Sequence, residues 1–341
     1  MGKQDVTVEL FYGGVWNPAP IYARDPISIT RGYPDEGGGA VPSSMSCTLD
    51  NRSGAYNPAS VASPLHGLIG RNTPIRAGLD LAVESFGGTS ASGWTPTDGG
   101  LPWTGTGAAA ADFTEGGGLG RHLQPLKNIV RISLLADERR DVEQVTEASI
   151  PAVAVGASVV VGHMARRQAS GDYYWLRMEF DVAGAMTAKI TRNVGGSFTD
   201  LAVVSGIPGV TYTAGQSYTF RSSVDGGHLA IRIWPTGTPE PAVWTLTAYD
   251  RTITAAGRYG LASWVVSGNT NTTEVRFDNY RAVDRRFTGE VSSWKPRRTV
   301  EFNPATGRGD AWTEIEAAGI LRRLGQGNKP GDSALTRAYA T

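Results

Sequence analysis

Short stretches in which apolar and polar residues alternate dominate the chain. In the stretch 173–180 (YYWLRMEF), Tyr174, Leu176, Met178 and Phe180 fall on one side and their neighbours on the other. A period of two is typical of a β-strand with one face in a core, whereas a helix repeats every three to four residues. The helical repeat is hard to find anywhere in this chain, so the pattern predicts an all-β protein.

The central part of the chain contains a long series of such stretches. Turn signals separate them, for example Gly195-Gly196 and Asp225-Gly226-Gly227. Regularly spaced short strands indicate a two-sheet sandwich of jelly-roll type. About eleven strands are predicted, at 128–135, 140–148, 158–166, 173–181, 185–192, 198–205, 217–224, 228–234, 242–249, 258–265 and 273–283.

The flanks of this series differ from it in composition. Residues 86–120 are rich in Gly, Ser, Thr and Ala, with Trp94, Trp103 and Phe113 spaced through them. Shorter alternating stretches precede this region and follow residue 285, and they predict a second group of strands. These lie at 4–12, 21–29, 43–49, 74–83, 286–294, 299–302 and 312–318.

The stretch 47–81 (CTLDNRSGAYNPASVASPLHGLIGRNTPIRAGLDL) places turn-forming residues at closely spaced points. Its spaced elements resemble the signature loop of tail hub, or minor tail, proteins of long-tailed actinobacterial phages. In those proteins a strand ends in LDN-R-x-G and is followed by Y-x-P, S-P-L-x-G and I-G-R-N-T-P-I-R. Here the elements stand at 49–54, 56–58, 63–67 and 69–76.

Two further resemblances suggest how the chain is divided. The stretch 274–280 (EVRFDNY), with the opening Ser92-Gly93-Trp94, is similar to concanavalin A-like (LamG-like) domains. The stretch 287–325, with Phe287-Thr288-Gly289-Glu290-Val291 and EAAGILRRLG, is similar to the closing half of the hub domain. The resemblance implies a split, barrel-like hub domain of 1–84 plus 286–325, a jelly roll inserted at 85–285, and a linker or tail at 326–341. Insertion is tolerated where a guest's ends meet at an exposed loop.

Composition and charge narrow the function classes. The 341 residues include 32 basic and 32 acidic side chains, so the formal net charge is zero, which argues against nucleic-acid binding. No segment has the length and apolarity of a membrane span, and the start lacks a signal-peptide pattern. The single cysteine, Cys47, predicts a buried apolar side chain rather than a disulfide.

Candidate catalytic and metal-binding groups are weak. Glu179-Phe180-Asp181 puts two acids on one strand face, but the second glutamate of a glucanase-type pattern is missing at 182–186. No G-x-S-x-G turn is present, and the four histidines lack metal-ligand spacing. We therefore predict no enzyme activity, no cofactor and no metal. Calcium remains an alternative that would use the oxygen donors Asp98, Asp112, Asp278 and Asn279.

Carbohydrate binding is the remaining chemistry. The alternation in 173–180 sends Tyr173, Trp175 and Arg177 to the face opposite the core, and 228–234 does the same with Arg232 and Trp234. Aromatic rings beside a cation stack on sugars and hold their hydroxyl or acidic groups. These five residues form the predicted carbohydrate site. The alternative is that they cover an outer face or pack against a neighbouring module.

The resemblance implies a structural component of a phage, or phage-derived, tail tip located in the virion. The split domain would form a three-fold or six-fold ring with itself and other tail proteins, and the jelly roll would contact host glycans or neighbouring proteins. Two alternatives remain open at this stage: a glycan-degrading enzyme with its active site in the jelly roll, and a free lectin-like adhesin.

Overall fold

The computed structural model describes residues 6–22, 25–30, 42–303 and 308–319. Within them the regular structure is antiparallel β, apart from two single 3₁₀ turns at Ala110–Asp112 and Val182–Gly184. No helix in these ranges has the length and apolarity needed to cross a bilayer. The strands are β1 (Val6–Tyr12), β2 (Val15–Pro18), β3 (Ser28–Thr30), β4 (Ser44–Asp50), β5 (Pro74–Glu84), β6 (Trp103–Thr106), β7 (Phe113–Gly116), β8 (Leu119–Leu123), β9 (Val130–Arg139), β10 (Val142–Ser149), β11 (Val159–Arg167), β12 (Tyr173–Phe180), β13 (Met186–Val194), β14 (Ser197–Val204), β15 (Tyr218–Asp225), β16 (His228–Pro235), β17 (Leu246–Tyr249), β18 (Gly257–Val265), β19 (Glu274–Asn303) and β20 (Arg308–Ala318).

The described chain divides into two compact units. The jelly-roll unit comprises residues 80–284, and the split unit comprises residues 6–79 together with 285–319. The boundaries therefore fall inside β5 and β19, whereas the sequence-based prediction put them at 84/85 and 285/286. The C-terminal linker predicted at 326–341 lies outside the described residues, as do Gly37-Gly38-Gly39 and the stretch 320–325.

Two sheets form the jelly-roll unit. The front sheet is seven-stranded, in the order β14-β13-β12-β11-β18-β9-β6. The back sheet has the order β17-β16-β15-β10-β19-β8-β7, where the first part of β19 pairs with β10 on one side and with β8 on the other. Strands β6, β7 and β8 lie in the Gly-rich region where no strand was predicted, since they are short and carry few β-branched residues.

The inner faces of the two sheets meet in the main core of this unit. Tyr174, Leu176, Met178 and Phe180 of β12 are fully buried there, as the alternation predicts. Phe180 packs against Tyr218 of the back sheet with ring centroids 6.1 Å apart. The opposite face of the front sheet carries a separate apolar cluster of Ile132, Leu134, Val160, Met164, Tyr173, Trp175 and Ala262.

The split unit joins the two ends of the described chain. β1 pairs with β2 and with β5 (Leu10 opposite Ile75), and β20 pairs with β19 and with β4 (Ile315 opposite Cys47). Val291 exchanges backbone hydrogen bonds with Asn72 and Thr73. Residues from both segments therefore share one core, which includes Leu10, Cys47, Ile75, Phe287, Val291 and Ile315.

The stretch 47–81, called the signature loop below, shows its turn chemistry in its hydrogen bonds. The Asn51 side chain accepts from Tyr56 N at 2.8 Å, Ser63 Oγ accepts from Leu65 N, and Thr73 Oγ1 accepts from Gly70 N at 2.7 Å. Short polar side chains stabilise turns by bonding to nearby backbone in this way. Trp294 Nε1 donates to Gly70 O at 2.8 Å, which fixes the loop to β19 within the split unit.

The predicted fold class is confirmed for the all-β architecture and the jelly roll. The closed barrel expected for the split unit is not seen: among the described residues, the strand pairings of β2 and β3 leave each with a single neighbour. Both are short, with four and three residues, so each exposes only a few unpaired backbone groups along its free edge.

Candidate functional site

The candidate functional site is a cavity of about 380 Å³ in the jelly-roll unit. It is formed by residues of the front sheet that face away from the main core, because the alternation puts their neighbours Tyr174 and Leu176 inside. Four strands contribute, together with Asn128, which lies two residues before β9. The lining residues are Asn128, Val130 of β9, Trp175 and Arg177 of β12, Phe198 and Asp200 of β14, and Trp264 of β18.

Trp175 lies at the base of this arrangement. It is only 1% exposed because it packs in the apolar cluster of the front sheet, opposite Met164 of β11. The guanidinium carbon of Arg177 lies 5.1 Å from the centroid of its ring. Such stacking holds a cation beside an aromatic face at a defined place.

Two indole N–H groups of the cavity lining are unpaired. The Nε1 atoms of Trp175 and Trp264 are buried and have no hydrogen-bond partner among the described residues. Buried polar groups are normally paired, so each unpaired group calls for an explanation. Both atoms are inaccessible although the cavity is empty, so they mark a packing cost within the sheet rather than donors offered to a bound molecule.

The charges around the cavity balance. Arg177 Nη2 lies 3.2 Å from Asp200 Oδ1, and Arg177 Nε lies 3.4 Å from Glu179 Oε1. Lys189 Nζ lies 3.1 Å from the same Glu179 oxygen, and Thr191 Oγ1 donates to Asp200 Oδ1 at 2.7 Å. Two cations thus face two carboxylates, so the group contributes no net charge.

The structure brings together three of the five predicted carbohydrate-binding residues. Tyr173, Trp175 and Arg177 share the outward face of β12, and Tyr173 contacts Phe198 with ring centroids 6.4 Å apart. These rings face away from the main core, but they are not exposed. Tyr173 is 5% exposed and Trp175 is 1% exposed, because neighbouring strands of the same sheet supply apolar side chains that cover them.

Arg232 and Trp234 lie elsewhere. Both belong to β16 of the back sheet, so the core separates their outward face from that of β12. Arg232 pairs with Glu240 and stacks on Trp244 at 4.1 Å, and Trp234 is 7% exposed. The five predicted carbohydrate-binding residues therefore lie on two separate faces of the jelly roll.

Sequence reasoning missed most of the cavity lining. Trp264 and Phe198 supply rings, and Asn128, Val130 and Asp200 complete the rim. Each stands in or beside a predicted strand, but a strand pattern does not reveal which strands are neighbours. Phe198 is 56% exposed in the structure, and nothing in its own strand pattern distinguishes it from other surface residues.

The other predicted chemical groups are engaged in internal contacts. Asp181 accepts from Ser158 Oγ at 2.8 Å and from Thr187 Oγ1 at 2.7 Å. Asp112 pairs with Arg131 at 2.9 Å, and Asp98 accepts from Ser85. Burial raises the pKa of Asp278 above its usual value. In the described part of the chain, no three His, Cys, Asp or Glu side chains are grouped as a metal site.

A second cavity, of about 630 Å³, lies in the split unit. The signature loop contributes Asn51, Arg52 and Asn57, and β19 contributes Arg297 and Arg298. Arg52 forms an ion pair with Asp50, and its hydrogen bond holds the pKa of that carboxyl below its usual value.

The arginines of the split unit differ in their surroundings. Arg76 is buried and pairs with Glu9 at 2.7 Å, whereas Arg297 is exposed and lies 3.5 Å from Glu314. Arg71 is exposed, and Arg298 lines the second cavity.

No protein-family model matches this chain, and no curated protein matches it in sequence. Solved structures do match in fold. One is the carbohydrate binding module CBM66 from Bacillus subtilis, with a TM-score of 0.35 and 14% identity over 53% of this chain and 95% of that chain. A second is the CBM2 module of the Lactobacillus casei BL23 phage J-1 evolved Dit, with a TM-score of 0.43 and 10% identity over 64% of this chain and 100% of that chain. A third is the catalytic domain of an endo-1,3-beta-glucanase, a laminarinase, from Thermotoga petrophila RKU-1, with a TM-score of 0.43 and 7% identity over 62% of this chain and 100% of that chain.

These likenesses concern the fold. They include jelly rolls whose names describe carbohydrate binding, and more whose names describe glucanases. The glucanases correct the sequence-based prediction that the chain is not an enzyme, because the jelly roll seen here is one that enzymes also use. The chain is thus an all-β protein with a concanavalin-like jelly roll.

Proposed function

We propose that the front-sheet cavity binds a carbohydrate. The observation that carries this proposal is its lining, in which the rings of Trp175, Trp264 and Phe198 lie beside the polar groups of Arg177 and Asp200. Aromatic rings give a sugar an apolar surface for its C–H face, and a few fixed polar groups orient its hydroxyls. A volume of about 380 Å³ suits a short oligosaccharide segment.

Titration calorimetry with oligosaccharides prepared from bacterial cell walls tests this proposal. The Phe198→Ala variant is expected to weaken binding about tenfold, because it removes a ring from the rim without opening the core. Tyr249→Ala is the matched control, since Tyr249 is equally exposed at 56% but lies on β17 of the back sheet. Equal loss in both variants, or no binding by the wild-type chain, would refute a carbohydrate site in this cavity.

Within this proposal, the chain acts as part of a tail tip of a phage or phage-derived particle. The spaced elements of 49–76 support this role, together with the shared core that joins them to Phe287 and Val291. The split unit would assemble with itself, as a trimer or hexamer, and with other tail proteins, while the jelly roll attaches to a host-surface glycan. The particle would carry the protein outside the cell in which it was made.

Immunogold electron microscopy and sedimentation test the assembly. Antibodies against the jelly roll should label one end of purified particles, and the isolated chain with its tail partners should sediment as a closed ring. Label along the whole tail, or none, would exclude the tail-tip position. A chain that stays monomeric with all tail proteins present would instead be a free adhesin.

Glycoside hydrolysis is a second candidate, favoured by one observation. Glu179 and Asp200 lie 3.4 and 3.2 Å from the same guanidinium, that of Arg177, and Asp200 lines the cavity. Paired carboxylates separated by one sugar linkage are the machinery of glycosidases. If this pair is catalytic, the wild-type chain releases reducing ends from the bound glycan and Asp200→Asn abolishes the release while binding persists. Binding with no release by the wild-type chain would exclude this candidate.

A further inference from the structure

The second cavity, in the split unit, is lined by cations. Its charged lining residues are Arg52 of the signature loop and Arg297 and Arg298 of β19, and no aspartate or glutamate is found among the described residues that line it. The guanidinium groups are accessible, since the side chains of Arg52 and Arg297 are 53% and 55% exposed and Arg298 is exposed as well. A cavity lined in this way attracts negatively charged groups.

The arginines differ in how far their charge is already compensated. Arg52 forms an ion pair with Asp50, and Arg297 lies 3.5 Å from Glu314 on the exposed surface. For the side chain of Arg298, the described residues supply neither an ion pair nor a hydrogen bond. One positive charge therefore remains uncompensated, and its planar guanidinium can bind both oxygens of a carboxylate from outside the chain.

Asn51 adds a neutral donor to the same lining. It is 5% exposed, its backbone bonds Ala311 O and Gly54 N, and its Oδ1 accepts from Tyr56 N at 2.8 Å. The amide nitrogen of Asn51 has no partner among the described residues, and it is not one of the inaccessible unpaired atoms. An amide nitrogen only donates, so it suits a carbonyl or carboxylate oxygen placed in the cavity.

The rest of the lining favours a peptide over a sugar or a nucleic acid. No aromatic ring on which a sugar or a base would stack is found among the described lining residues. The chain has a formal net charge of zero, without the basic excess that follows a phosphate backbone. Ser53, Ser60 and Asn57 line the cavity and carry both donors and acceptors, which suit the amide groups of a peptide backbone.

We propose that the second cavity docks an acidic peptide segment of a neighbouring protein. An aspartate or glutamate of that segment pairs with Arg298, and a backbone or carboxylate oxygen accepts from the amide of Asn51. This inference rests on the proposed function, because it names the surface and the chemistry through which the split unit contacts another tail protein. It is independent of carbohydrate binding by the jelly roll.

Fluorescence anisotropy on the full chain with three labelled probes of equal length tests the docking site. The probes are a peptide of alternating Gly and Glu, a peptide of alternating Gly and Gln, and an oligomer of glucuronic acid. The Glu peptide is expected to bind at least tenfold more tightly than either of the others, because it alone combines carboxylates with a peptide backbone. Equal binding of the two peptides, tighter binding of the glucuronate oligomer, or no binding of any probe would overturn the inference.

A matched pair of variants locates the contact. Arg298→Gln should weaken binding of the Glu peptide about tenfold, since it removes the uncompensated guanidinium. Arg71→Gln is the control, because Arg71 is an exposed arginine of the same loop outside the cavity lining. Thermal melting verifies that both variants are folded. An equal loss in the two variants would show attraction to the overall surface charge and would overturn the assigned site.

Sedimentation of the same variants separates this inference from the proposed function. With the tail partners present, Arg298→Gln should reduce assembly and Arg71→Gln should not. Normal assembly of Arg298→Gln would overturn the docking site and leave the tail-tip role in place. Peptide binding by a chain that joins no particle would support the docking site and overturn the tail-tip role. An oligomer of the chain alone that Arg298→Gln dissociates would assign the segment to a second copy and overturn its assignment to another protein.

Discussion

His163 and Ser222 join the two sheets of the jelly roll through the core. His163 Nδ1 lies 2.8 Å from Ser222 Oγ, with His163 on β11 of the front sheet and Ser222 on β15 of the back sheet. Both side chains are fully buried, and the ring of His163 packs 4.6 Å from that of Phe220. A second buried histidine, His122, bonds Ser263 and Ser133 through its two ring nitrogens.

These histidines make the stability of the jelly roll sensitive to mild acid. Burial, and to a lesser extent the nearby Arg221 and Arg131, lowers the pKa of His163 and His122 well below the usual value of 6.5. Below about pH 6.5 the unfolded chain therefore binds protons that the folded chain excludes. The free energy of unfolding should fall as pH decreases from 6.5, by at most about 1.4 kcal/mol per pH unit for each histidine.

Urea denaturation between pH 7.5 and pH 5 measures this slope. The His163→Gln variant should show a shallower slope than wild type, since an amide can bond Ser222 without titrating. His228→Gln is the control, because His228 is exposed on β16. Identical slopes for wild type and His163→Gln would contradict the assignment.

Gly162 of β11 has no room for a side chain. A Cβ at this position would lie 2.2 Å from the carbonyl oxygen of Leu176 and 2.7 Å from the Cα of Arg177. We expect Gly162→Ala to destabilise the jelly roll by about 1–3 kcal/mol, because strand β12 must shift to relieve the clash. Gly99→Ala is the control, since a Cβ at Gly99 would meet nothing within 4 Å and the φ of this residue is not in the left-handed region. Urea denaturation of the two variants checks this, and equal stabilities would disprove the tight approach.

Arg232 contributes to stability rather than to carbohydrate binding. It pairs with Glu240, which Arg221 also contacts at 3.0 Å, on the outward face of the back sheet. Arg232→Ala should lower the free energy of unfolding by about 1–3 kcal/mol, because it leaves a largely buried carboxylate with one partner fewer. The affinity of the Arg232→Ala variant for oligosaccharides, measured by calorimetry, should equal that of wild type. A loss of affinity comparable to that of Phe198→Ala would return Arg232 to the binding site.

Cys47 should be unreactive in the folded protein. It is buried in the split unit on β4, and burial raises the pKa of its thiol to about 12. Since the thiolate is the reacting form, a disulfide reagent at pH 8 should modify Cys47 only after denaturant is added. Rapid modification without denaturant would show that β4 does not remain paired with β20 in solution.

The split unit should fold without the jelly roll. Leu79 lies opposite Val6 in β5, and Arg285 pairs with Glu9 of the neighbouring β1 at 3.3 Å, so the two cut ends lie near one strand. Deleting residues 80–284 and joining Leu79 to Arg285 with a short Gly/Ser linker should give a soluble β protein that retains a protected Cys47. Circular dichroism and thiol labelling measure this. An aggregated or unfolded product would mean that the split unit depends on its insert.

Much of the fold was predictable because strands have a local signature. The alternation in β12 and β16 identified both the strands and the faces that point into the main core, and the turn residues of the signature loop predicted where the chain reverses. The short strands β6, β7 and β8 escaped notice because Gly and Thr in a four- or five-residue segment give no such alternation.

The site was only partly predictable. Trp175 and Arg177 were found because they alternate with core residues on their own strand. Trp264 was not found, although it lines the same cavity. Strand β11 lies between β12 and β18, with its Met164 opposite Trp175 and its Val160 opposite Trp264. That neighbourhood depends on strand order, which nothing in either strand's own residues specifies.

The sequence alone thus determined that the chain is all-β, where most strands lie and which face of each is apolar, since these follow from local alternation and turn chemistry. Only the tertiary structure decided that β12 and β16 belong to opposite sheets, and so divided the five predicted residues between two surfaces. The physical reason is that alternation defines a side chain's direction relative to its own strand. Which strands share a sheet depends instead on contacts between residues far apart in the chain.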